Sequence, residues 1–171
     1  INCGENTIYL SKYSTQDDIN GTFQFTNNYV TSNNGNFINV TKMSIKPIIN
    51  NNIFENTTIK NNFLIYISHN LNQIELINNS FSNIITSGTN QISGGGLVTI
   101  IGNSEFTVNY ERCKFYDIIN DNDIKPYNQG GAISYGFSNI DINTNIQIVQ
   151  CEFKRNKAKH HGGAIFIQTS K

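Results

Sequence analysis

The chain has 171 residues, which is the length of one ordinary domain, and its 12 basic residues balance its 12 acidic residues. A chain of this length can bury a hydrophobic core, and its neutral charge balance argues against a nucleic-acid partner. Its apolar runs are far shorter than the roughly 18 residues that a membrane-spanning helix needs. With 30 Asn and 28 Ile against three Ala and five Leu, the composition disfavours α-helices and favours short β-strands.

Residues 1–20 are interpreted as a lead-in or N-terminal cap, and residues 21–171 as the coils of a single domain that spans 1–171. The chain begins with Ile1 rather than Met. Its last strand-like run, 164–167, is followed by only four residues. We therefore expect the chain to be a fragment of a longer polypeptide.

Similar units follow one another along residues 21–171. Each unit contains a Phe anchor and, after a polar interval, an apolar strand-like run. The anchors at positions 25, 54, 81, 115 and 153 are separated by 29, 27, 34 and 38 residues, and the runs that follow them lie at 35–38, 61–67, 94–100, 130–135 and 162–167. Repeats of roughly 20 to 50 residues that are built from short strands are typical of solenoids.

The tetrapeptide Gly-Gly-Ala-Ile gives the strongest repeat signal, because its two copies use two of the three Ala in the chain. A corner that recurs in every coil needs a positive φ or a close backbone approach, and Gly permits both. Strand alternation then directs every second residue of the following strand into the core. The two copies are Gly130, Gly131, Ala132, Ile133 and Gly162, Gly163, Ala164, Ile165. The residues expected to point inward are Val98, Ile100, Ile133, Tyr135, Ile165 and Ile167.

These features predict an all-β protein, a right-handed parallel β-helix (solenoid) of about five coils, with the Phe anchors, including Phe115 and Phe153, in an internal stack. Successive coils would lie about 4.8 Å apart. The alternative is an antiparallel β-sandwich or jelly roll, whose hairpins are usually marked by Asn-Gly turns. The pair Asn34-Gly35 is flanked by Asn rather than by strands, which favours the parallel β-helix.

The Gly-Gly-Ala-Ile copies alternate with the motif Phe-x-x-Asn, for example at 153–156. Together the two motifs resemble the repeats of polymorphic outer-membrane proteins and of related surface proteins of unicellular eukaryotes. This resemblance implies a right-handed parallel β-helix in which each coil carries one copy of each motif. It also implies a surface-exposed protein that is associated with adhesion rather than catalysis.

Two of the three cysteines, Cys113 and Cys151, occupy the same position in the repeat, two residues before the Phe anchor. Earlier units carry Asn52 and Asn79 there. Stacked coils would bring the two Cα atoms within disulfide range, but parallel Cβ vectors keep the Cβ atoms farther apart than a disulfide prefers. We predict two free, buried thiols. With Cys3 the count is odd, and it indicates no disulfide framework.

The densest group of carboxylates consists of Asp117, Asp121 and Asp123, which are weak candidates for a metal site because calcium prefers oxygen ligands. Their spacing is not that of a calcium loop, and Asp is common in solvated loops. We also expect no Arg or Lys placed beside them to stabilise an anion. The adjacent His160 and His161 point to opposite faces of a strand, which favours a polar corner over a metal site. From the sequence we assign no catalytic residue, no cofactor and no metal.

Sequons for N-glycosylation occur four times, about as often as chance predicts in a chain so rich in Asn, Ser and Thr. They are candidate glycosylation sites but carry no weight for secretion. The four residues are Asn20, Asn39, Asn56 and Asn78.

The motifs favour a non-catalytic structural or adhesive protein that is extracellular or lies at the cell surface. Two alternatives are a carbohydrate-active β-helix similar to pectate lyases, which would need clustered carboxylates, and a glycan-binding module. The expected partners are other copies of the chain or further coils of the same chain, together with cell-surface glycans. End-to-end stacking into a filament is one form that such self-association would take.

Overall fold

The computed structural model describes residues 6–11, 21–31, 36–41, 45–60, 64–68, 73–88, 97–102, 106–122, 130–137 and 144–169. Every regular element in these ranges is a β-strand, and every pairing between strands is parallel. The parallel β-helix is therefore confirmed, and the antiparallel sandwich is wrong.

Seventeen strands are present in the described residues. In chain order they are β1 (Asn6–Ser11), β2 (Gly21–Thr26), β3 (Tyr29–Thr31), β4 (Asn36–Thr41), β5 (Ile45–Asn50), β6 (Ile53–Lys60), β7 (Ile65–Ser68), β8 (Gln73–Ile77), β9 (Ser80–Gly88), β10 (Val98–Gly102), β11 (Phe106–Glu111), β12 (Lys114–Asn122), β13 (Ile133–Phe137), β14 (Thr144–Val149), β15 (Glu152–Lys154), β16 (Lys157–Ala158) and β17 (Ile165–Thr169).

The strands form three sheets that run the length of the solenoid. Sheet A has the order β1-β4-β7-β10-β13-β17, sheet B the order β2-β5-β8-β11-β14, and sheet C the order β3-β6-β9-β12-β15, with β16 also beside β12. Each coil passes through sheets B, C and A in turn. Coil 1 contains β2 to β4, coil 2 β5 to β7, coil 3 β8 to β10, coil 4 β11 to β13, and coil 5 β14 to β17. This agrees with the predicted five coils, and β1 is a lead-in strand that extends sheet A.

The corner between sheets B and C has two residues, and the first of them has a positive φ in every coil. Asn27, Asn51 and Asn78 hold this position in coils 1 to 3, with φ of 58°, 57° and 54°. Asn adopts this left-handed conformation at lower cost than most residues. Arg112 and Gln150 adopt it in coils 4 and 5, where the rung-to-rung backbone hydrogen bonds of the corner continue, as from Arg112 N to Val149 O.

The Gly pair forms the corner that leads into sheet A, and its two residues are needed for different reasons. Gly130 has a φ of 73°, which disfavours any side chain. A Cβ atom on Gly131 would lie 2.0 Å from the carbonyl oxygen of Gly163 in the next coil. The two copies of the motif are stacked as predicted, with Ile133 paired in parallel register with Ile165.

Four of the Phe anchors form the predicted internal stack. Phe54, Phe81, Phe115 and Phe153 follow one another along sheet C with ring centroids 4.9, 4.8 and 4.9 Å apart and nearly parallel planes. The prediction was wrong for Phe25, which lies in sheet B in register with Ile49. Val30 takes the place in register with Phe54, because Phe25 precedes the two-residue corner whereas the other anchors follow it.

Coil 4 buries one small residue and two large aromatic residues in the core. Ala132 lies fully buried directly before sheet A, where Leu97 stands in coil 3. The large side chains of Tyr110 and Tyr135 are also fully buried in coil 4. Burial raises the pKa of both phenols, so the core holds them in the neutral form.

The predicted inward residues keep the expected register, but their burial depends on the coil. Val98, Ile100, Ile133 and Tyr135 in coils 3 and 4 are buried. In coil 5, Ile165 is partly buried against the core, and Ile167 is 51% exposed although it is paired with Tyr135. Gly94–Gly96, part of the run predicted before Val98, lie outside the described residues.

Candidate functional site

A ladder of polar side chains runs inside the corner between sheets B and C; we call it the internal ladder. In coils 1 to 3 the internal ladder is built from Asn side-chain amides. Asn52 Nδ2 donates to Asn79 Oδ1 at 3.0 Å and to the carbonyl oxygen of Phe25 at 2.9 Å. These bonds satisfy donors that would be costly to bury alone. The ladder consists of Asn28, Asn52, Asn79, Cys113 and Cys151.

The cysteines continue the internal ladder with free thiols, as predicted. The Cys113 thiol donates to the carbonyl oxygen of Leu76 at 3.1 Å, and its backbone N–H donates to Cys151 Sγ at 3.4 Å. Burial raises the pKa of Cys113 to about 12 and also raises the pKa of Cys151. Of these two thiols, Cys113 is fully buried, whereas Cys151 is only partly buried against the core, which corrects the prediction that both are buried. Cys3 lies outside the described residues.

The outer face of sheet C carries charged side chains where coils 4 and 5 meet, and we call this region the charged face. Arg155 Nε and Nη2 donate to Asp117 Oδ1 and Oδ2, each at 2.6 Å. This bidentate pair of hydrogen bonds lowers the pKa of the Asp117 carboxyl group and raises the pKa of Arg155. Both residues have a positive φ, so their side chains project from equivalent positions of adjacent coils.

A second group on the charged face joins an acid, a cation and a phenol. Tyr116 donates its hydroxyl to Glu152 Oε2 at 2.5 Å, and Lys154 Nζ donates to the same oxygen at 2.9 Å. Lys154 Nζ also lies 5.0 Å from the centre of the Tyr116 ring. The hydroxyl hydrogen bond is the main reason that the pKa of Glu152 is lowered, and it raises the pKa of Tyr116.

The structure corrects the expectation that no cation lies beside the Asp cluster. Besides the Arg155 pair, Lys159 Nζ lies 3.7 Å from Asp121 Oδ1. Both cations follow their acids by 38 residues, the same separation as between Phe115 and Phe153. That shared offset was the signal that could have identified them.

The weak metal candidates are not brought together as a metal site in the described part of the chain. Asp117 and Asp121 each face a cation of the next coil, and Asp123 lies outside the described residues. Within the described ranges, no three His, Cys, Asp or Glu residues are close enough to share a metal ion. His160 and His161 are exposed beside Gly162, with ring centroids 6.3 Å apart.

Two of the sequon residues are accessible. Asn56 and Asn78 are exposed at positive-φ positions of sheet C and of the corner before it. Each also takes part in an outer ladder: Asn83 Nδ2 donates to Asn56 Oδ1, and Asn78 Nδ2 donates to Asn51 Oδ1, both at 3.1 Å. Asn39 lies half-buried in β4, and Asn20 is outside the described residues.

No helix in the described ranges has the length and hydrophobicity to cross a membrane. Comparison of the chain with family models, with curated proteins and with solved structures gives no match. The resemblance to surface-protein repeats therefore stays a prediction that depends on the Gly-Gly-Ala-Ile and Phe-x-x-Asn motifs.

Proposed function

We propose that this chain is a non-catalytic structural or adhesive element, a rigid β-helical rod that is extracellular or lies at the cell surface. The observation that carries the proposal is the continuity of its stacks from coil to coil. The Phe stack runs through coils 2 to 5, and the internal ladder runs through all five coils. Nearest-neighbour stacking of this kind produces a stiff, extended body with flat outer faces.

The electrostatics of the charged face support a structural role. A general base works best when its pKa lies near the working pH. The hydrogen bonds from Arg155 move the pKa of Asp117 in the opposite direction, further below neutrality. Asp117 is thus a weak base whose carboxylate links coil 4 to coil 5.

Polysaccharide cleavage tests the proposal against the carbohydrate-active alternative. The chain is incubated with pectin and other acidic and neutral polysaccharides, with and without calcium, and the products are measured by reducing-end and unsaturated-product assays. We expect no product. Product formed by the wild-type chain and lost in Asp117→Ala or Asp121→Ala would overturn the proposal.

Adhesion is measured separately, with the chain coupled to beads and presented to immobilised glycans and to cells. We expect binding through the outer faces, and the same beads carrying heat-unfolded chain serve as the control. Equal retention of folded and unfolded chain would show that the β-helix has no specific adhesive surface.

A further inference from the structure

Three of the four candidate glycosylation sites lie in the described residues, and two of them are already committed to other contacts. Asn39 is half-buried in β4, and its Oδ1 is buried without a hydrogen-bond partner in the described part of the chain. Asn78 is exposed, but its Nδ2 donates to Asn51 Oδ1, and its Oδ1 accepts a hydrogen bond from Arg112 Nε at 2.8 Å. A glycan at Asn39 would have to leave a partly buried position, and a glycan at Asn78 would compete with the outer ladder.

The third site, Asn56, combines exposure with an unused donor. It lies in the middle of β6 in coil 2, with a φ of 51° and an exposed side chain. Its Oδ1 accepts a hydrogen bond from Asn83 Nδ2 at 3.1 Å, whereas its own Nδ2 donates to no residue that the structure describes. N-glycosylation attaches the sugar to this nitrogen. A glycan at Asn56 therefore leaves the hydrogen bond from Asn83 in place.

The hydroxyl that completes this sequon is also on the surface. Thr57 is 3% exposed, and its hydroxyl donates to the carbonyl oxygen of Glu55 at 2.9 Å. Thr58 is exposed, and its hydroxyl makes no hydrogen bond within the described ranges. The fold accounts for Asn56 by its backbone conformation but gives the Thr58 hydroxyl no structural partner. A sequon requires a hydroxyl at this third position.

Exposed isoleucines flank Asn56 on the outer face of sheet C. In the described residues of coils 1 to 4, the exposed large hydrophobic side chains all lie on this face, and Ile53 and Ile85 are 43% and 40% exposed. Ile53 precedes Asn56 by three residues, and Ile85 is paired with Thr58 in the next coil. Both are therefore roughly 8–10 Å from Asn56 by strand rise and strand spacing. Sugar rings have apolar C–H faces, so the first sugars of a glycan at Asn56 would shield these side chains from water.

We propose that Asn56 is an N-glycosylation site and that its glycan covers Ile53 and Ile85. The inference deepens the proposed extracellular role and rests on it, because N-glycans are added to chains that enter the secretory pathway. The donor is an oligosaccharide linked to a lipid through pyrophosphate. Nδ2 of Asn56 forms a bond to C1 of the first sugar and loses a proton, while the bond from C1 to the pyrophosphate oxygen breaks and the lipid pyrophosphate leaves.

Occupancy of the sequons tests the assignment. The whole chain, preceded by a cleavable signal peptide, is secreted from cultured eukaryotic cells, and glycopeptide mass spectrometry measures the occupied fraction at each sequon. We expect a glycan on Asn56 in most molecules, on Asn78 in fewer, and on Asn39 in essentially none. An unoccupied Asn56, or a higher occupancy of Asn39 or Asn78, would overturn the assignment.

Two variants at Thr58 provide matched controls, because both keep Asn56 and its hydrogen bond with Asn83. Thr58→Ala removes the sequon and should abolish the glycan on this residue. Thr58→Ser preserves the sequon and should retain it. Thermal unfolding of both variants, produced without glycans in bacteria, verifies that they fold. A glycan that persisted on Asn56 in Thr58→Ala would contradict attachment through the sequon.

Hydroxyl-radical footprinting tests the second half of the inference. The secreted chain is compared with the same sequence produced without glycans in bacteria, and mass spectrometry measures the oxidation of individual side chains. Oxidation of Ile53 and Ile85 should fall about twofold in the glycosylated chain, since it follows the apolar area in contact with water. Ile148, which is 36% exposed on sheet B, should be oxidised equally in both. Equal oxidation of Ile53 and Ile85 would refute the shielding.

The signal peptide imposes secretion in this experiment. An unoccupied Asn56 would therefore refute the glycosylation site whatever the polysaccharide and bead assays give. A chain that cleaved polysaccharide or failed to adhere would still show whether Asn56 carries a glycan. Failure of the glycosylation site is thus distinguishable from failure of the proposed function.

Discussion

Coils 4 and 5 carry the same Phe and Gly-Gly-Ala-Ile motifs but bury them to different degrees. Phe115 and Ile133 of coil 4 are fully buried, whereas Phe153 and Ile165 of coil 5 are only partly buried. In a solenoid, a side chain is covered mainly by the coils on either side of it. The motif therefore predicts where a residue lies within its coil. How much that residue contributes to stability depends on how many neighbouring coils cover it.

The largest difference in stability between coils 4 and 5 is expected when the aromatic ring of the Phe anchor is removed. The Phe115 ring lies between those of Phe81 and Phe153, and Phe153 is stacked on one side only among the described rings. We expect Phe115→Ala to lower the free energy of unfolding by about 3–5 kcal/mol. Phe153→Ala should cost roughly half as much, because less of its surface is removed from water. Urea denaturation measures both; equal losses would contradict the comparison.

The Gly pairs should show the same contrast on a smaller scale. A Cβ on Gly131 meets the Gly163 carbonyl oxygen at 2.0 Å, whereas a Cβ on Gly163 meets only the carbonyl oxygen of Asn156, at 3.3 Å. We expect Gly131→Ala to cost about 1–3 kcal/mol because coils 4 and 5 must move apart. Gly163→Ala should cost less than about 1 kcal/mol. Thermal unfolding of the two variants at matched concentration tests this, and a more stable Gly131→Ala variant would refute the steric explanation.

Alkaline pH should distinguish the two thiols of the internal ladder. The pKa of Cys113 is raised from 9.0 to about 12 in the folded chain, so above pH 9 the unfolded chain releases the proton first and stability falls as pH rises. At pH 10 this loss amounts to about 1 kcal/mol. Cys113→Ala should abolish that part of the decrease in the free energy of unfolding between pH 7 and pH 10, and Cys151→Ala should change it less.

Thiol labelling provides the control for this pH effect. A thiol reagent at pH 8 should modify the partly buried Cys151 in the folded chain and reach Cys113 only after unfolding. Labelling of both at equal rates would show that coil 5 does not cover Cys113.

Much of the fold was predictable from the sequence because the Gly-Gly-Ala-Ile repeat has a steric cause. Gly131 is required by the next coil and Gly130 by its positive φ, so the motif recurs wherever that corner recurs. Phe25 could not be placed by the same reasoning. Spacing between aromatic residues does not reveal on which side of the Asn27-Asn28 corner each one lies.

The charged face was missed for a related reason. Asp117 and Arg155 are 38 residues apart in sequence, and the lengths of the repeats vary. Their contact follows only when the register between coils is known, and the Phe115–Phe153 pair sets that register. Once it is set, the offset also predicts the approach of Asp121 and Lys159.

The smallest expected effect is that of the Asp117–Arg155 pair, because both side chains are exposed. The pKa of Asp117 is lowered from 3.8 in the folded chain, so the pair stabilises the chain above that pH and loses its contribution as pH falls through the lower folded value. Asp117→Asn should therefore be slightly less stable than the wild type at pH 6, and the difference should shrink below pH 3.8 and in high salt. Asn83→Ala, at the equivalent rung of coil 3, is the uncharged control. A stability difference for Asp117→Asn that did not change with pH or salt would contradict this prediction. It would show that the contribution of Asp117 to stability is not electrostatic.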